Sequence, residues 1–332
     1  MPVDDRFHLR PYRDGDEAAI LELFARSFPH APRASEHFGW KYRASPYGSG
    51  RISLAFDRER LVGHYAGYPV PFRVDGRDVL AHQIGDTMTD PSVRHIGRGP
   101  SSILGRTALD FYSRFCDGAV AFNFGFNVAN IQKFSLRFLR SHRVEPVCYR
   151  LLDLTVRPLK PMRRVEKALS GYQIEIVRHV DTEWDELFAR VRRHYEFCVR
   201  RDAQWVRWRY LESPDQRYAV VAVRKWSRLV GWIVYTIRGD SLIWGDALFH
   251  PDLPDAPSVM LRHVVPPLHV NRVEGWFPAR PRWFDAVLQE LGFVMQPEPQ
   301  DLSLMCVPFM MHDAVDRMRS SLYYTMGDGD LF

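Results

Sequence analysis

Features that mark metal-binding, disulfide-bonded or membrane proteins are scarce in this sequence. Its four cysteines, Cys116, Cys148, Cys198 and Cys306, are widely separated and form no C-x-x-C pair. This spacing argues against structural zinc and a disulfide framework, and it suits a reducing compartment. The sequence has no apolar run of about 18 residues, and residues 1–8 form no apolar signal core. We therefore expect a cytoplasmic protein that binds neither a metal nor a membrane.

Lysine is also scarce, since only five of the 45 basic residues are lysines and the rest are arginines. The net charge of +5 is compatible with a phosphate-rich ligand but does not require nucleic acid. The apolar content of 46% excludes a disordered chain, and 332 residues are enough for two domains of ordinary size.

One stretch combines a strand pattern, a glycine turn and a helix pattern. The apolar-leaning run Val79–Met88 is followed by Arg94-x-x-Gly97-x-Gly99, and an amphipathic pattern then continues to Phe115. Unpaired amides and the positive end of the helix dipole would converge at such a turn, where Arg94 and Arg98 add positive charge. The sequence therefore predicts an anion site, and a helix entry without a ligand is the alternative.

The same turn resembles the acyl-CoA signature of the GNAT N-acyltransferases, Arg/Gln-x-x-Gly-x-Gly/Ala after a strand. Pro91, three residues before Arg94, also fits that family. The resemblance implies acetyl-CoA or another acyl-CoA as co-substrate, with no metal, and an α/β (α+β) fold whose mixed, mostly antiparallel sheets are flanked by helices. The residues that it implies hold the cofactor are Thr87, Met88, Thr89, Arg94, His95, Ile96, Gly97, Arg98, Gly99, Pro100, Ser101 and Asn127.

Asn127 begins a second predicted helix, and an N-cap without a ligand is its alternative role. For the general base we select Asp86, on the predicted cofactor strand, and His82 as second choice. The alternatives are a carboxylate paired with a nearby arginine and a structural histidine. Many relatives have a tyrosine as general acid in the second helix, where this chain has Phe134, so the resemblance leaves the acid unassigned.

The second half of the chain repeats the first. Glu22-Leu-Phe-Ala-Arg recurs from Glu186, Trp40-Lys-Tyr-Arg-Ala-Ser-Pro recurs in part from Trp208, and Arg60-Leu-Val-Gly recurs from Arg228. Three blocks in the same order indicate a duplicated domain. The turn of the second copy lacks the glycine signature and contains prolines, which have no amide hydrogen to donate. We therefore expect two tandem GNAT-like domains, of which only the first binds acyl-CoA.

The predicted organisation is an acyl-CoA-binding domain over 7–157, a linker over 158–171, a degenerate domain over 172–310 and a tail over 311–332. The tail is aromatic and acidic, and we expect it to pack against the protein. The alternative is a loose terminus.

The leading functional hypothesis is an acyl-CoA-dependent N-acyltransferase that acts on a small-molecule primary amine, as a monomer or homodimer. One alternative is an aminoacyl-tRNA-dependent transferase, which the glycine turn disfavours and the basic segment Arg190–Tyr210 mildly favours. That segment also has the spacing of core aromatics with solvated arginines, so we do not expect nucleic acid as a partner. A protein that binds acyl-CoA without turnover is the third hypothesis.

Overall fold

The computed structural model describes residues 6–30, 33–330 and 332, so residues 1–5 of the segment searched for a signal and Leu331 of the tail lie outside the described residues. The chain alternates strands and helices in both halves. The elements of the first half are β1 (Phe7–Pro11), α1 (Glu17–Ser27), α2 (Ser35–Phe38), β2 (Arg51–Asp57), β3 (Arg60–Val74), β4 (Arg77–Thr89), α3 (Ile103–Phe115), β5 (Phe122–Asn127), α4 (Ala129–Phe138), β6 (His142–Pro146) and β7 (Tyr149–Asp153).

The second half begins after the proline-broken basic connector. Its elements are α5 (Arg164–Ser170), β8 (Tyr172–Val177), α6 (Thr182–Val191), β9 (Phe197–Val199), α7 (Ala203–Val206), β10 (Ala219–Lys225), β11 (Arg228–Arg238), β12 (Ser241–Phe249), α8 (Ala256–Val264), β13 (Arg272–Trp276), α9 (Arg282–Leu291), β14 (Val294–Gln296), β15 (Ser303–Pro308), α10 (Ala314–Ser321) and β16 (Leu322–Tyr323). None of the described helices is long and apolar enough to cross a membrane.

The duplication predicted from the sequence is visible in the element boundaries. The helices α2 and α7 start 168 residues apart, and so do the strands β2 and β10. Each short helix continues into a π-helical turn, Gly39–Arg43 in the first copy and Arg207–Leu211 in the second. The match extends to an unusual local geometry, which confirms that one fold occurs twice.

Each copy builds one mixed sheet. The main order is β1-β2-β3-β4-β5-β15-β6 in the first sheet and β14-β7-β13-β12-β11-β10-β8 in the second. Most neighbouring pairs are antiparallel, whereas β4 and β5 in the first sheet and β12 and β13 in the second are parallel. This architecture is the predicted mixed, mostly antiparallel sheet with flanking helices.

The two sheets exchange one strand. β7, from the first half, pairs with β13 in the second sheet, and β15, from the second half, pairs with β5 and β6 in the first. The compact units are consequently discontinuous: the first holds residues up to Pro71, Val79–Pro146 and Leu302–Arg319, and the second holds the rest. This differs from the continuous predicted domains because a strand pattern does not reveal which sheet the strand will join.

In the first unit, the two faces of the sheet separate two groups of side chains. Ala66 and Met88 pack in one cluster with apolar residues of α1 and α2, including Leu23 and Phe38. Tyr65, on the next position of β3, packs in another cluster with Phe111 of α3. This alternation follows from the two-residue period of a strand.

In the second unit, the predicted packing of the tail is observed for the described residues. Tyr323 and Tyr324 are almost completely buried, and Phe332 is 5% exposed. Its ring lies 4.8 Å from that of Tyr218.

Candidate acyl-CoA and acyl-transfer site

The parallel pairing between β4 and β5 is short. It joins His82 with Asn123 and Gln83 with Phe124, while β5 pairs with β15 along its whole length, from Asn127 to Phe122. β5 therefore continues beside β15 after its ladder with β4 has ended. Beyond Gln83, the backbone groups that β4 directs toward β5 have no partner in β5 and can bond to a ligand.

β4 is distorted three residues after the ladder ends. Asp86 has a φ of +48°, in the left-handed region that non-glycine residues rarely adopt. Backbone strain of this kind costs about 1–3 kcal/mol and is found most often where a site requires it.

An open cleft lies where the two strands part. β4 contributes Ile84, β5 contributes Gly125 and Asn127, and α4 contributes Ser135. Tyr65, Tyr112, Met305 and Val307 also line it. The cleft thus combines an apolar wall with hydroxyl and amide groups, which is the composition of a small-molecule site.

The glycine turn that follows β4 has the expected backbone. Gly97 and Gly99 have φ values of +72° and +56°. A Cβ atom at Gly97 would collide with the carbonyl oxygen of Ser101, and one at Gly99 would lie 2.8 Å from the Phe138 ring. Glycine is therefore required at both positions.

Side-chain hydrogen bonds of Asp90 and Arg94 fix the segment that leads into this turn. Asp90 accepts hydrogen bonds from the Ser92 amide and hydroxyl, from Arg26 Nε and from Arg60. Burial opposes ionisation of Asp90, but these donors hold its pKa well below the usual value. Arg94 Nε donates to the carbonyl oxygen of Thr89 at 2.9 Å. The Asp90 carboxylate is thus a fixed anion that anchors the turn.

The outer side of the turn is polar and accessible. His95, Arg98, Pro100 and Ser101 are exposed, whereas Ile96 is half-buried against the core. The amides of Gly97 and Gly99 donate no hydrogen bond to any residue in the described part of the chain. Gly97 is exposed whereas Gly99 is buried. The turn therefore presents the Gly97 amide as an open donor beside an arginine, as an anion site requires.

Helix α4 connects the turn to the cleft. Phe138 packs on Gly99, and Ser135, one turn earlier, lines the cleft. Asn127 is the last residue of β5 rather than the helix cap, which is Val128. The side-chain nitrogen Nδ2 of Asn127 donates to Ser135 Oγ at 3.4 Å, so this side chain lies at the cleft and not at the helix N-terminus.

The three cofactor residues predicted on β4 differ in where their side chains lie. Met88 is buried in the cluster with α1 and α2, while Thr87 and Thr89 are half-buried. Because its side chain is buried in that cluster, Met88 can meet a ligand between β4 and β5 only through its backbone.

The carboxylate of Asp86 is engaged by two donors. Lys41 Nζ lies 2.9 Å away and the Tyr42 hydroxyl donates at 2.7 Å. Burial would raise the pKa of Asp86, but the neighbouring Lys41 charge and these bonds hold it well below its usual value. A carboxylate that is so strongly stabilised as an anion is a weak base.

His82 lies in a different environment, on the α3 side of the sheet. Its Nδ1 is 3.7 Å from Cys116 Sγ, and its ring lies edge-on to Phe111. Burial lowers the pKa of His82 to about 4. Asn123 also contacts Cys116, at 3.2 Å, so these polar groups satisfy one another. This geometry is that of a structural histidine.

His64 completes the polar group around Asp86. Its Nδ1 donates to the Asp86 carbonyl oxygen at 2.7 Å, which fixes the tautomer, and burial lowers its pKa to about 4. His64 therefore remains neutral near pH 7 and supports the distorted segment of β4.

Comparison with known proteins agrees with this geometry. Residues 8–135 match the family model described as an acetyltransferase (GNAT) domain. This part of the chain is GNAT-like. The matched range contains the glycine turn, the distorted strand and most of the cleft residues. No curated protein matches the chain.

Solved structures show that a GNAT-type fold extends beyond residue 135, over 90–92% of the chain. A probable N-acyltransferase from Enterococcus faecalis V583 has a TM-score of 0.69 at 12% identity, over 92% of this chain and 73% of that one. A tandem GNAT protein from the clavulanic acid biosynthesis pathway has a TM-score of 0.56 at 15% identity, over 90% and 97% of the two chains. Saccharomyces cerevisiae N-myristoyltransferase with bound myristoyl-CoA has a TM-score of 0.58 at 11% identity, over 92% and 84%.

The second GNAT-like copy has no comparable turn. After β12, the amides of His250, Leu253 and Ala256 donate to backbone carbonyl groups of Val230, His250 and Leu253, respectively. Pro251 and Pro254 have no amide hydrogen, and Pro257 lies in the first turn of α8. The described turn therefore offers few donors for a pyrophosphate.

Several cleft residues could not be identified from the sequence. Tyr112 is one of the apolar-face positions of α3, but its hydroxyl and that of Tyr65 meet at the cleft. Ser135 follows Phe134, which has no hydroxyl. Met305 and Val307 enter through the exchanged strand β15, and no local pattern could have placed them there.

Proposed function

We propose that this chain transfers an acyl group, in the first instance acetyl, from acyl-CoA to a primary amine of a small molecule. The observation that carries the proposal is the coincidence, within one GNAT domain, of an open glycine turn and a cleft between the parted strands β4 and β5. The turn suits a pyrophosphate and the cleft suits the pantetheine arm that is attached to it.

The pyrophosphate would lie against the amides of Gly97 and Gly99, with Arg98 and Arg94 compensating its charge. His95, Ile96, Pro100 and Ser101 complete this turn. We propose that these residues shape the turn, and we assign them no individual contact with the cofactor.

The pantetheine arm would continue along β4, whose pairing with β5 ends at Gln83. Its amides would bond to backbone groups of Thr87, Met88 and Thr89 in the manner of an added strand. Asn127, at the end of β5, is placed to contact the same arm from the opposite side.

Acyl transfer requires a neutral amine, a polarised thioester carbonyl and a proton for the thiolate. The β4 amides would polarise the carbonyl. Of the two candidate bases, Asp86 is held as an anion by Lys41, and His82 is enclosed by Cys116 and Phe111. We therefore propose that the amine binds in its neutral form and that Asp86 maintains the distorted segment of β4.

Calorimetry with CoA and acetyl-CoA tests the binding part of the proposal, with Gly97→Ala and Gly118→Ala as matched variants. Both glycines have a φ of +72°, but only at Gly97 would a Cβ atom collide with the backbone. We expect wild type and Gly118→Ala to bind and Gly97→Ala to lose binding, with circular dichroism confirming that all three are folded.

Thiol release from acetyl-CoA across a panel of primary amines then tests catalysis, with the acetylated product identified by mass. Binding without release for any amine would favour the non-catalytic acyl-CoA-binding alternative. Absence of binding to wild type would contradict the proposal and favour an aminoacyl-tRNA-dependent transferase.

A further inference from the structure

Two tyrosine hydroxyls meet at the wall of the cleft. Tyr65 of β3 and Tyr112 of α3 have their Oη atoms 3.1 Å apart, and both residues are almost completely buried. Their rings lie edge to face, and the Tyr112 ring also contacts Phe309 at 5.4 Å between centroids. The pair is held by close packing and needs little reorganisation to act.

Hydrogen counting shows that this pair has a donor to spare. Each hydroxyl carries one hydrogen, and the bond between the two uses only one of them. Neither hydroxyl donates to any other acceptor in the described part of the chain. The remaining hydrogen is therefore available at the cleft that both residues line.

Tyr112 is the member better suited to release its hydrogen. The Arg140 guanidinium lies 5.5 Å from the centre of its ring, a position that favours negative charge on Tyr112. When Tyr65 donates to Tyr112 Oη, that bond stabilises a phenolate further, and the Tyr112 hydrogen points elsewhere.

The proposed reaction needs such a donor, and α4 does not provide a tyrosine for it. Phe134 has no hydroxyl and packs against Phe138 at 5.3 Å and against the cluster around α3. We propose that the Tyr112 hydroxyl donates a proton to the departing thiolate sulfur, with Tyr65 as a positioning residue. This inference rests on the proposed function.

The step balances in atoms and charge. The amine nitrogen forms a bond to the thioester carbon, the carbon–sulfur bond breaks, and its electron pair stays on sulfur. Sulfur takes the Tyr112 proton to give the CoA thiol. The proton lost by the acylated nitrogen returns through solvent to the phenolate, so the products are the amide and the thiol.

Burial affects the acidity of the Tyr112 hydroxyl and the basicity of the departing thiolate. Burial raises the pKa of Tyr112, so its hydroxyl stays protonated at neutral pH, although the bond from Tyr65 opposes this shift. A thiolate that forms against the apolar part of the cleft wall is less well solvated than in water, which favours proton transfer to it.

The test compares Tyr112→Phe, Tyr65→Phe and the double variant in acetyl-CoA turnover. Removing a general acid typically lowers kcat about 100-fold or more, and we expect this for Tyr112→Phe with little change in the KM for acetyl-CoA. Tyr65→Phe should lower kcat less. The double variant should be no slower than Tyr112→Phe, because a positioning residue has no effect once its partner is gone.

Tyr195→Phe is the matched control, because the buried Tyr195 hydroxyl donates to the Phe249 carbonyl in the second unit. It should keep wild-type kcat at a similar loss of stability. Wild-type kcat in a folded Tyr112→Phe would overturn the inference and leave the proposed function intact. Failure of wild type to bind or turn over acetyl-CoA would overturn both.

Discussion

One contact occurs in both copies but has different surroundings in each. In the first copy, Tyr42 of the π-helical turn donates to Asp86 of β4, and in the second, Tyr210 of the equivalent turn donates to Asp246 of β12. The tyrosines are 168 residues apart, in the offset of the repeat. A tyrosine–aspartate bond between turn and strand is thus part of the duplicated scaffold.

Around Asp246 the second copy is filled by its own chain. Arg201, fully buried, bonds to Asp246 and to Asp328 of the tail. Arg209 donates to carbonyl oxygens of residues 327, 329 and 332, and the Phe332 ring lies where a Cβ atom on Gly245 would be. The first-copy counterpart of Arg209 is Lys41, which bonds directly to the Asp86 carboxylate.

The difference shows how duplication can separate two tasks. The first copy keeps a strained strand, a cleft and an open turn, all of which a ligand can use. The second copy replaces the turn donors and covers the equivalent aspartate with protein. We interpret the first as the ligand-binding copy and the second as a structural one, and three substitutions test this comparison.

The largest expected effect is in the second copy, from Arg201→Ala. It leaves Asp246 and Asp328 buried without their shared cation, which should cost about 3–5 kcal/mol of stability. Urea unfolding at neutral pH measures the loss. Arg193→Ala, on an exposed arginine, is the control and should change stability little. Equal stability of the two variants would contradict a structural role for the tail network.

The next effect is expected from Asp86→Asn in the first copy, which removes the ion-pair partner of the buried Lys41 and should cost about 3 kcal/mol near pH 7. Since the pKa of Asp86 is lowered on folding, its contribution is fully present above the unfolded value of 3.8 and declines as pH falls from there toward the lower folded value.

The stability difference between wild type and Asp86→Asn should therefore shrink between pH 7 and pH 3. Asp78→Asn, on an exposed carboxylate, is the control. If the difference were as large at pH 3, the interpretation of Asp86 as a fixed anion would be wrong.

We expect Arg98→Glu to change stability little but to weaken ligand binding clearly. Hydrogen bonds to charged groups contribute about 1.5–3 kcal/mol, so the Kd for acetyl-CoA should rise about 10–100-fold. Arg178→Glu makes the same charge change on an exposed residue of the second copy and should leave the Kd close to wild type. An equal loss in both variants would indicate a nonspecific effect of net charge.

Local patterns were sufficient to predict the duplicated fold and the glycine turn. The turn requires glycine at positions 97 and 99 for steric reasons that any sequence must satisfy, and the repeat of Trp40-Lys-Tyr as Trp208-Arg-Tyr reproduces a π-helical turn. These features depend on neighbours in the sequence, so the sequence displays them.

Features that depend on distant residues could not be predicted. β7 was identified as a strand, but its pairing with β13 depends on a partner more than 100 residues away. Asp86 was selected for its position on β4, whereas its low pKa results from Lys41 and Tyr42, which approach from another element. The tyrosine pair at the cleft likewise joins a strand to a helix.

Amide hydrogen exchange with and without acetyl-CoA tests the central claim most directly, because it locates the ligand in one copy or the other. The account predicts slower exchange in the glycine turn around residues 97–99 and in β4 around residues 87–89, and no change over residues 250–256 of the second copy. Protection over 250–256, or none around 97–99 at saturating acetyl-CoA, would contradict it.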